Sequence, residues 1–391
     1  LTAASDAMNF FKGTVNQEFK EYFPVLDLSI DDFIRKSYKG GWVYLNPRYA
    51  NKRIGRGLVF DVNSLYPSRM YDCILPFGEP VYYQGEYTPS KFFPCYIQRV
   101  RIDIDLKEGY LPTIQLKNNP SYGNTEYITT TNGNIEEVTL TNIDLELLFE
   151  HYNINYIEYV DGYKFRGCKG IFKKYIDYWI AVKIQAEKEG NEAIRTLAKL
   201  MLNSLYGKFA SNPRKQCKLP YLREEDYISF TLDEEEVTDP VYTAMASFIT
   251  AHARFKTITS CQKNYDRFIY GDTDSMHLEG DEIPDNIDID KVKLGYWKHE
   301  STFEKGLFVR AKTYIEKIDG ELHVKCAGMP DNVKENVTFD NFHSGSTFCG
   351  KEYYKNFKGD KSHLVVCEDG KLMPKSVAGG VVLLETEFTI K

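Results

Sequence analysis

The chain has 391 residues, 42% of them hydrophobic, enough for a large core and, at about 100–200 residues per domain, for two to four units. No run of eighteen apolar residues occurs, so no helix is expected to span a membrane; the start LTAASDAMNFF has neither a secretory pattern nor an initiator Met and is expected to derive from a longer chain. Eight cysteines without a C-x-x-C pair and seven histidines without ligand spacing argue against a zinc site or a disulfide framework and fit a reducing cytoplasm. The net charge of −7 argues against a polyanionic partner, but its distribution does not: residues 162–218 hold 13 Lys/Arg against 4 Asp/Glu, whereas residues 224–239 hold eight acids.

In chain order, residues 40–70 read as turn, strand and turn. GGWVYL is followed by GRGLVFDVNSLYPSRM, in which an apolar strand at 58–62 carries Asp61 near its end. Alone, such an Asp is a cap or turn residue. Residues 73–160, with alternation such as CYIQRVRIDIDL, predict short strands and turns. From 170 to 210 the period turns helical with a break at KEGNE (188–192), which predicts a helix hairpin. On its second helix Arg195, Lys199, Asn203 and Tyr206 share one face, and Leu197, Leu200, Met201 and Leu205 are expected to pack. Like charges four apart cost a few tenths of a kcal/mol on an isolated helix. A bound polyphosphate would reverse that penalty, and Lys183 joins the set if the hairpin folds at Gly190. The plainer reading is a surface helix with solvated cations. NPRKQCKLPYLREEDYISFTLDEEE predicts a charged β-hairpin arm, and from Pro240 a helix leads into the strand–turn–strand FIYGDTDSMHL. The mixture predicts an α+β chain with antiparallel sheet, and no internal repeat is found.

Asp272 and Asp274 stand two apart on that last turn and repel each other unless a cation, a metal ion or a lysine, sits beside them. Mg²⁺ takes one or two carboxylates plus substrate phosphates. Two such ions about 3.5–4 Å apart stabilise the attacking and leaving oxygens of an in-line phosphoryl transfer. Two strands carrying Asp61 and Asp274 side by side would supply that clamp.

Three segments in this order, DVNSLYPS (61–68), KLMLNSLYG (199–207) and YGDTDS (270–275), followed by KTY (312–314), resemble the family B DNA polymerases. SYKGGW, TAHAR (250–254) and the close GGVVLLETEFTIK are similar to the protein-primed branch found in small Bacillus phages, and the resemblance covers essentially the whole chain. It implies a right-hand architecture: palm at 1–72 and 240–345, a terminal-protein-docking insertion at 73–174, fingers at 175–210, a second β-hairpin insertion at 211–239 and a thumb at 346–391.

The resemblance implies that Asp61 and Asp274, with the Val62 carbonyl, hold two Mg²⁺ ions (Mn²⁺ being able to substitute), and that Asp272 supports them. Lys183, Arg195 and Lys199 would hold the incoming triphosphate; Tyr66 would exclude a 2′-hydroxyl, and Asn203 and Tyr206, beside Gly207, would line the nucleotide pocket. Thr250, Arg254, Lys312 and Tyr314 would contact the primer strand, and Tyr38, Gly40 and Gly41 the template, mainly through backbone contacts. The implied partners are primer-template DNA, deoxynucleoside triphosphates and a terminal protein primer; the protein would act as a monomer, away from membranes, in the cytoplasm of an infected bacterium.

The chain departs from the family where only 60 residues, without Asp-x-Glu, precede Asp61, so a proofreading exonuclease is expected to be missing from it. The hairpin near 185–192 and the segment 346–374 are longer than in relatives, and the link after Tyr314 is shorter, which bears on Lys183 and on thumb contacts. Two other readings stay open: a non-catalytic DNA- or terminal-protein-binding fragment, and a metal-dependent nuclease, which also uses paired carboxylates.

Overall fold

The computed structural model describes residues 2–116, 121, 123, 126–222, 228–349, 364–366, 372–374 and 387–391. Its centre is an antiparallel five-stranded sheet in the order Val43–Leu45, Phe268–Asp272, Ser275–Glu279, Gly57–Val62, Trp297–Phe303. The Gly57–Val62 strand is buried at five of six positions, as a continuous apolar run should be when both faces of its sheet are covered. Leu58, Phe60 and Val62 meet Ala253, Ile258 and Cys261 of the long helix Thr243–Gln262. On the opposite face Val59, Ile269 and Tyr270 meet Ile54 and Phe308 of a second antiparallel sheet. That sheet runs Glu321–Cys326, Thr313–Ile318, Lys305–Arg310, Arg53–Ile54. The carboxylate-bearing strands are therefore clamped from both sides.

The predicted helix hairpin is present as Lys173–Lys188 and Glu192–Phe209. It turns at Gly190, whose φ of +67° suits a residue without a Cβ, and Asn191 caps the second helix by accepting the Ile194 N–H. The expected packing side is corrected in part. Met201 and Leu205 are buried, but Leu197 and Leu200 are 43% and 48% exposed. The buried stripe is Ala198, Met201, Leu202, Leu205 and Phe209, because the aromatic cluster of Phe11, Phe172 and Tyr175 that it joins lies on that side.

Four strands that follow form an antiparallel sheet in the order Ile74–Gln84, Tyr152–Lys169, Cys95–Leu106, Glu136–Thr141. Its strands are longer than expected, up to 18 residues, and bulges at Arg99/Val100 and Asp103/Ile104 let them curve. A helix, Asn142–His151, interrupts the expected all-strand run. Thr141 caps it by accepting the Asp144 N–H, a Thr-x-x-Asp signal readable in the sequence. The charged arm is a hairpin of Arg214–Leu222 and Ile228–Val237. Of the segment assigned to a thumb, 346–391, most lies outside the described residues; Thr347–Cys349 pairs with Glu387–Thr389 and Leu364–Val366 with Leu372–Pro374.

One buried ion pair ties these parts together. Arg254 Nη2 donates to both Asp144 oxygens at 2.7 and 2.9 Å, and its Nη1 donates to the carbonyls of Lys39 and Gly40 at 2.8 and 3.0 Å. Burial pushes the Asp144 carboxyl up, but Arg254 and Lys39 outweigh it and hold it below the usual range. Arg254→Ala leaves that carboxylate buried and unpaired, and stability should fall by about 3–5 kcal/mol. A denaturant titration checks this; weaker DNA binding with unchanged stability would show that Arg254 faces DNA after all.

Candidate active site

Two residues, Thr273 and Asp274, join the Phe268–Asp272 and Ser275–Glu279 strands. Thr273 sits at φ +61°, a conformation a β-branched residue adopts only when its surroundings force it. The forces are identifiable. Its N–H donates to the Trp42 carbonyl at 2.7 Å, and its own carbonyl accepts from Thr257 Oγ1 at 2.7 Å. Its side chain occupies the space where a Cβ on Gly41 would stand. On the other flank Ser275 lies opposite Asp61, and the Val62 N–H donates to the Asp274 carbonyl at 2.8 Å. The turn and the strand end are thus locked in register, and Asp61 and Asp274 come together.

The three carboxylates have different fates. Asp272 is neutralised by protein: Lys312 Nζ donates to its two oxygens at 2.7 and 2.8 Å, the Tyr270 hydroxyl donates at 3.0 Å and Thr273 Oγ1 at 3.2 Å. Asp61 and Asp274 have no ion-pair partner among the described residues. Burial first, then Asp274 and Glu300, push the Asp61 carboxyl up to about 7, against the pull of Lys199 and Lys298. Asp274 is likewise raised, by burial and then by Asp272 and Glu300, while its backbone hydrogen bond and Lys199 oppose the shift. Of the cations that an acidic turn could attract, a lysine is therefore present at Asp272.

Facing this pair is the helix hairpin. Lys199 is exposed and Arg195 pairs with Glu192 at 3.1 Å. Lys183 on the preceding helix is half-buried: burial, then Lys199, Arg195 and Lys298, depress its pKa, with Glu187 opposing. The Tyr66 and Tyr206 rings stack with centroids 4.0 Å apart, and burial, followed by Tyr206, pushes the Tyr66 phenol well up. Asn203 is exposed, and a Cβ on Gly207 would meet open space.

The expected DNA contacts divide. Tyr38 is half-buried and close enough to Tyr206 and Arg254 to feel both, and Gly40 is exposed. Gly41 instead seats Thr273. Thr250 and Arg254 are turned inward. Thr250 is fully buried and donates to the Ala246 and Ser247 carbonyls, and Arg254 is 3% exposed and spent on Asp144, Lys39 and Gly40. Arg254 thereby ties the long helix to the Lys39–Gly40 backbone. Lys312 pairs with Asp272, and Tyr314 stacks on Phe308 with centroids 5.0 Å apart.

Two residues escaped sequence reasoning. Lys298 lies opposite Asp61 on the Trp297–Phe303 strand, and Glu300 falls where that strand's register shifts. Period-two reading of WKHESTF puts both on one face, but only the pairing shows which face that is.

No group of three or more His, Cys, Asp or Glu side chains converges to hold a metal among the described residues. The donor set fits a hard divalent ion none the less: Mg²⁺ needs only one or two carboxylates and completes its shell with water and phosphate. An ion there would also offset the burial and the mutual repulsion that raise Asp61 and Asp274.

Residues 1–291 match the family described as DNA polymerase type B, organellar and viral. The chain is 48% identical to the DNA polymerase of Bacillus phage Nf and 47% identical to that of Bacillus phage phi29, with all of this chain and 68% of each relative covered. It is 38% identical to the DNA polymerase of Streptococcus phage Cp-1. The solved phi29 DNA polymerase, complexed with primer-template DNA and incoming nucleotide, superposes with a TM-score of 0.89 at 47% identity, covering 100% of this chain and 68% of that one.

The raised Asp61 carboxyl makes a stability prediction. Its folded pKa of about 7 lies above its ordinary 3.8, so the folded protein binds the extra proton between these values. Without metal, stability should fall as pH rises from about 4 to about 7. Asp61→Asn should then melt a few degrees higher than wild type at pH 8 in chelator. Equal melting there, or a gain in stability over that interval, contradicts the crowded-carboxylate account.

Proposed function

The chain belongs to the organellar and viral type B DNA polymerases, and we propose that its site carries out DNA-templated DNA synthesis through the uncompensated pair Asp61 and Asp274. The reaction class, phage DNA replication from primer-template DNA and deoxynucleotides, follows from the relatives and the polymerase fold. The observation that carries the residue-level reading is that two half-buried carboxylates, without an ion-pair partner among the described residues, face the helix that bears Lys199.

Asp61 and Asp274, with the Val62 carbonyl, would hold two divalent ions, Mg²⁺ or in its place Mn²⁺. Bound there, the ions supply charge for both the attacking 3′-hydroxyl oxygen and the leaving pyrophosphate oxygen. Lys199, Arg195 and Lys183 gather the triphosphate from the opposite side, where its negative charge relieves their mutual repulsion. Tyr66, held flat against Tyr206, forms a floor under the sugar that leaves no room for a 2′-hydroxyl, and Asn203 borders the same pocket. Asp272 is anchored to Lys312 and Tyr270, so it shapes the turn and spreads negative potential rather than ligating throughout the cycle. Tyr314 backs this anchor on the primer side, and Tyr38, Gly40 and Gly41 offer a template-side edge.

In this reading residues 1–72 and 240–345 are the palm, 175–210 the fingers, 211–239 an arm beside the DNA and 346–391 the thumb. Residues 73–174 dock a terminal protein that primes synthesis, and the enzyme works as a monomer in the infected host's cytoplasm. A binding fragment without catalytic duty is disfavoured, since it would carry the cost of crowding Asp61 against Asp274 for nothing. A nuclease would have no use for the Tyr66–Tyr206 floor.

Extension of a labelled primer tests the reading. Asp274→Asn should lose at least a hundredfold in nucleotide addition while a gel shift with the same DNA survives; activity equal to wild type would remove the metal assignment. Tyr66→Val should raise ribonucleotide incorporation at least tenfold, and an unchanged deoxy/ribo preference would take Tyr66 out of sugar selection.

A further inference from the structure

The Trp297–Phe303 strand is the edge of the central sheet beside Gly57–Val62, and its register puts Lys298 opposite Asp61. Residues opposite each other on antiparallel strands project from the same face with Cβ atoms about 4.5–5.5 Å apart. Lys298 therefore stands on the catalytic face, flanking Asp61 on the side away from Asp274. Its charge reaches in two directions: it lowers the raised Asp61 pKa, and with Lys199 and Arg195 it depresses that of Lys183 across the cleft. Lys298 is exposed and makes no hydrogen bond or ion pair with any described residue.

We propose that Lys298 is a fourth ligand of the incoming triphosphate and of the departing pyrophosphate, supplied by the sheet rather than by the helix hairpin. The inference rests on the polymerase reading of the site. A lysine opposite Asp61 could serve as that carboxylate's counter-ion only while the carboxylate pair is empty. Once the pair is neutralised by divalent ions, the favourable partner left to an unbonded ammonium in the cleft is phosphate. Lys298, Lys183 and Lys199 then converge on one polyanion from two walls. Because Lys298 is fixed to the sheet, its contact does not depend on where the hairpin stands, and it should act on pyrophosphate as much as on nucleotide.

Single-nucleotide extension at saturating primer-template, for wild type, Lys298→Ala and Lys298→Arg, decides the matter. Lys298→Ala should raise KM for the nucleotide about three- to tenfold and weaken inhibition by inorganic pyrophosphate by a similar factor. Lys298→Arg should keep both near wild type, and kcat should change less than about twofold. Unchanged KM and pyrophosphate inhibition in Lys298→Ala would overturn the assignment. So would a fall in kcat at constant KM, which would make Lys298 a positioning residue for Asp61. Should Lys298→Ala not fold, Lys298→Gln is compared with Lys298→Arg by the same criteria. Failure of the wild type to extend the primer would instead strike at the polymerase reading, and the proposal would fall with it.

Discussion

Two carboxylates, one on a strand and one on the adjoining turn, partly withdrawn from water and without an ion-pair partner among the described residues, are the constraint around which this molecule is arranged. Left alone they repel, and burial compounds the cost, as the rise of Asp61 to about 7 registers. Such an arrangement persists only if the scaffold over-determines it. Here it does: Thr273 is held at positive φ by Trp42, Thr257 and the bare Gly41, and Asp274 is pinned to the Val62 N–H. Asp272, which would have made the crowding worse, is drawn off by Lys312 and Tyr270. Charge that the protein withholds from Asp61 and Asp274 is charge that ions and substrate can bring.

The same economy extends to residues around the site whose polar groups are spent within the protein. Arg254 sits in a motif that suggests DNA, yet its guanidinium is spent on Asp144 and two carbonyls in the core. That pair joins three distant parts of the chain: the helix cap at Thr141–Asp144, the long helix behind the sheet and the Lys39–Gly40 backbone that leads to Gly41. Thr250, one helical turn before Arg254, is buried on the same helix.

What could be read from the residues alone was local. The strand ending near Asp61, the acidic turn, the helix hairpin broken before Gly190 and the charged arm each announce themselves within a dozen residues, because period, cap and turn chemistry are short-range properties. Directions were not legible. Leu197 and Leu200 look like packing residues, yet the aromatic cluster around Phe11 and Phe172 sits on the other side of their helix. Arg254 and Thr250 were known from their motif to matter, which does not say toward what they point. Lys298 is ordinary in sequence and becomes notable only when strand register sets it against Asp61. The helix at Asn142–His151 was the one miss the sequence could have prevented, since its Thr-x-x-Asp cap was there to be seen.

The most direct measurement of the central claim is titration of the protein with Mn²⁺, followed by electron paramagnetic resonance, in a ternary complex with primer-template and a non-hydrolysable nucleotide. If Asp61 and Asp274 hold the catalytic ions, wild type should take up two Mn²⁺ per chain, and Asp61→Asn and Asp274→Asn should each lose at least one, while Asp272→Asn keeps both. Equal Mn²⁺ uptake in wild type, Asp61→Asn and Asp274→Asn would contradict the account.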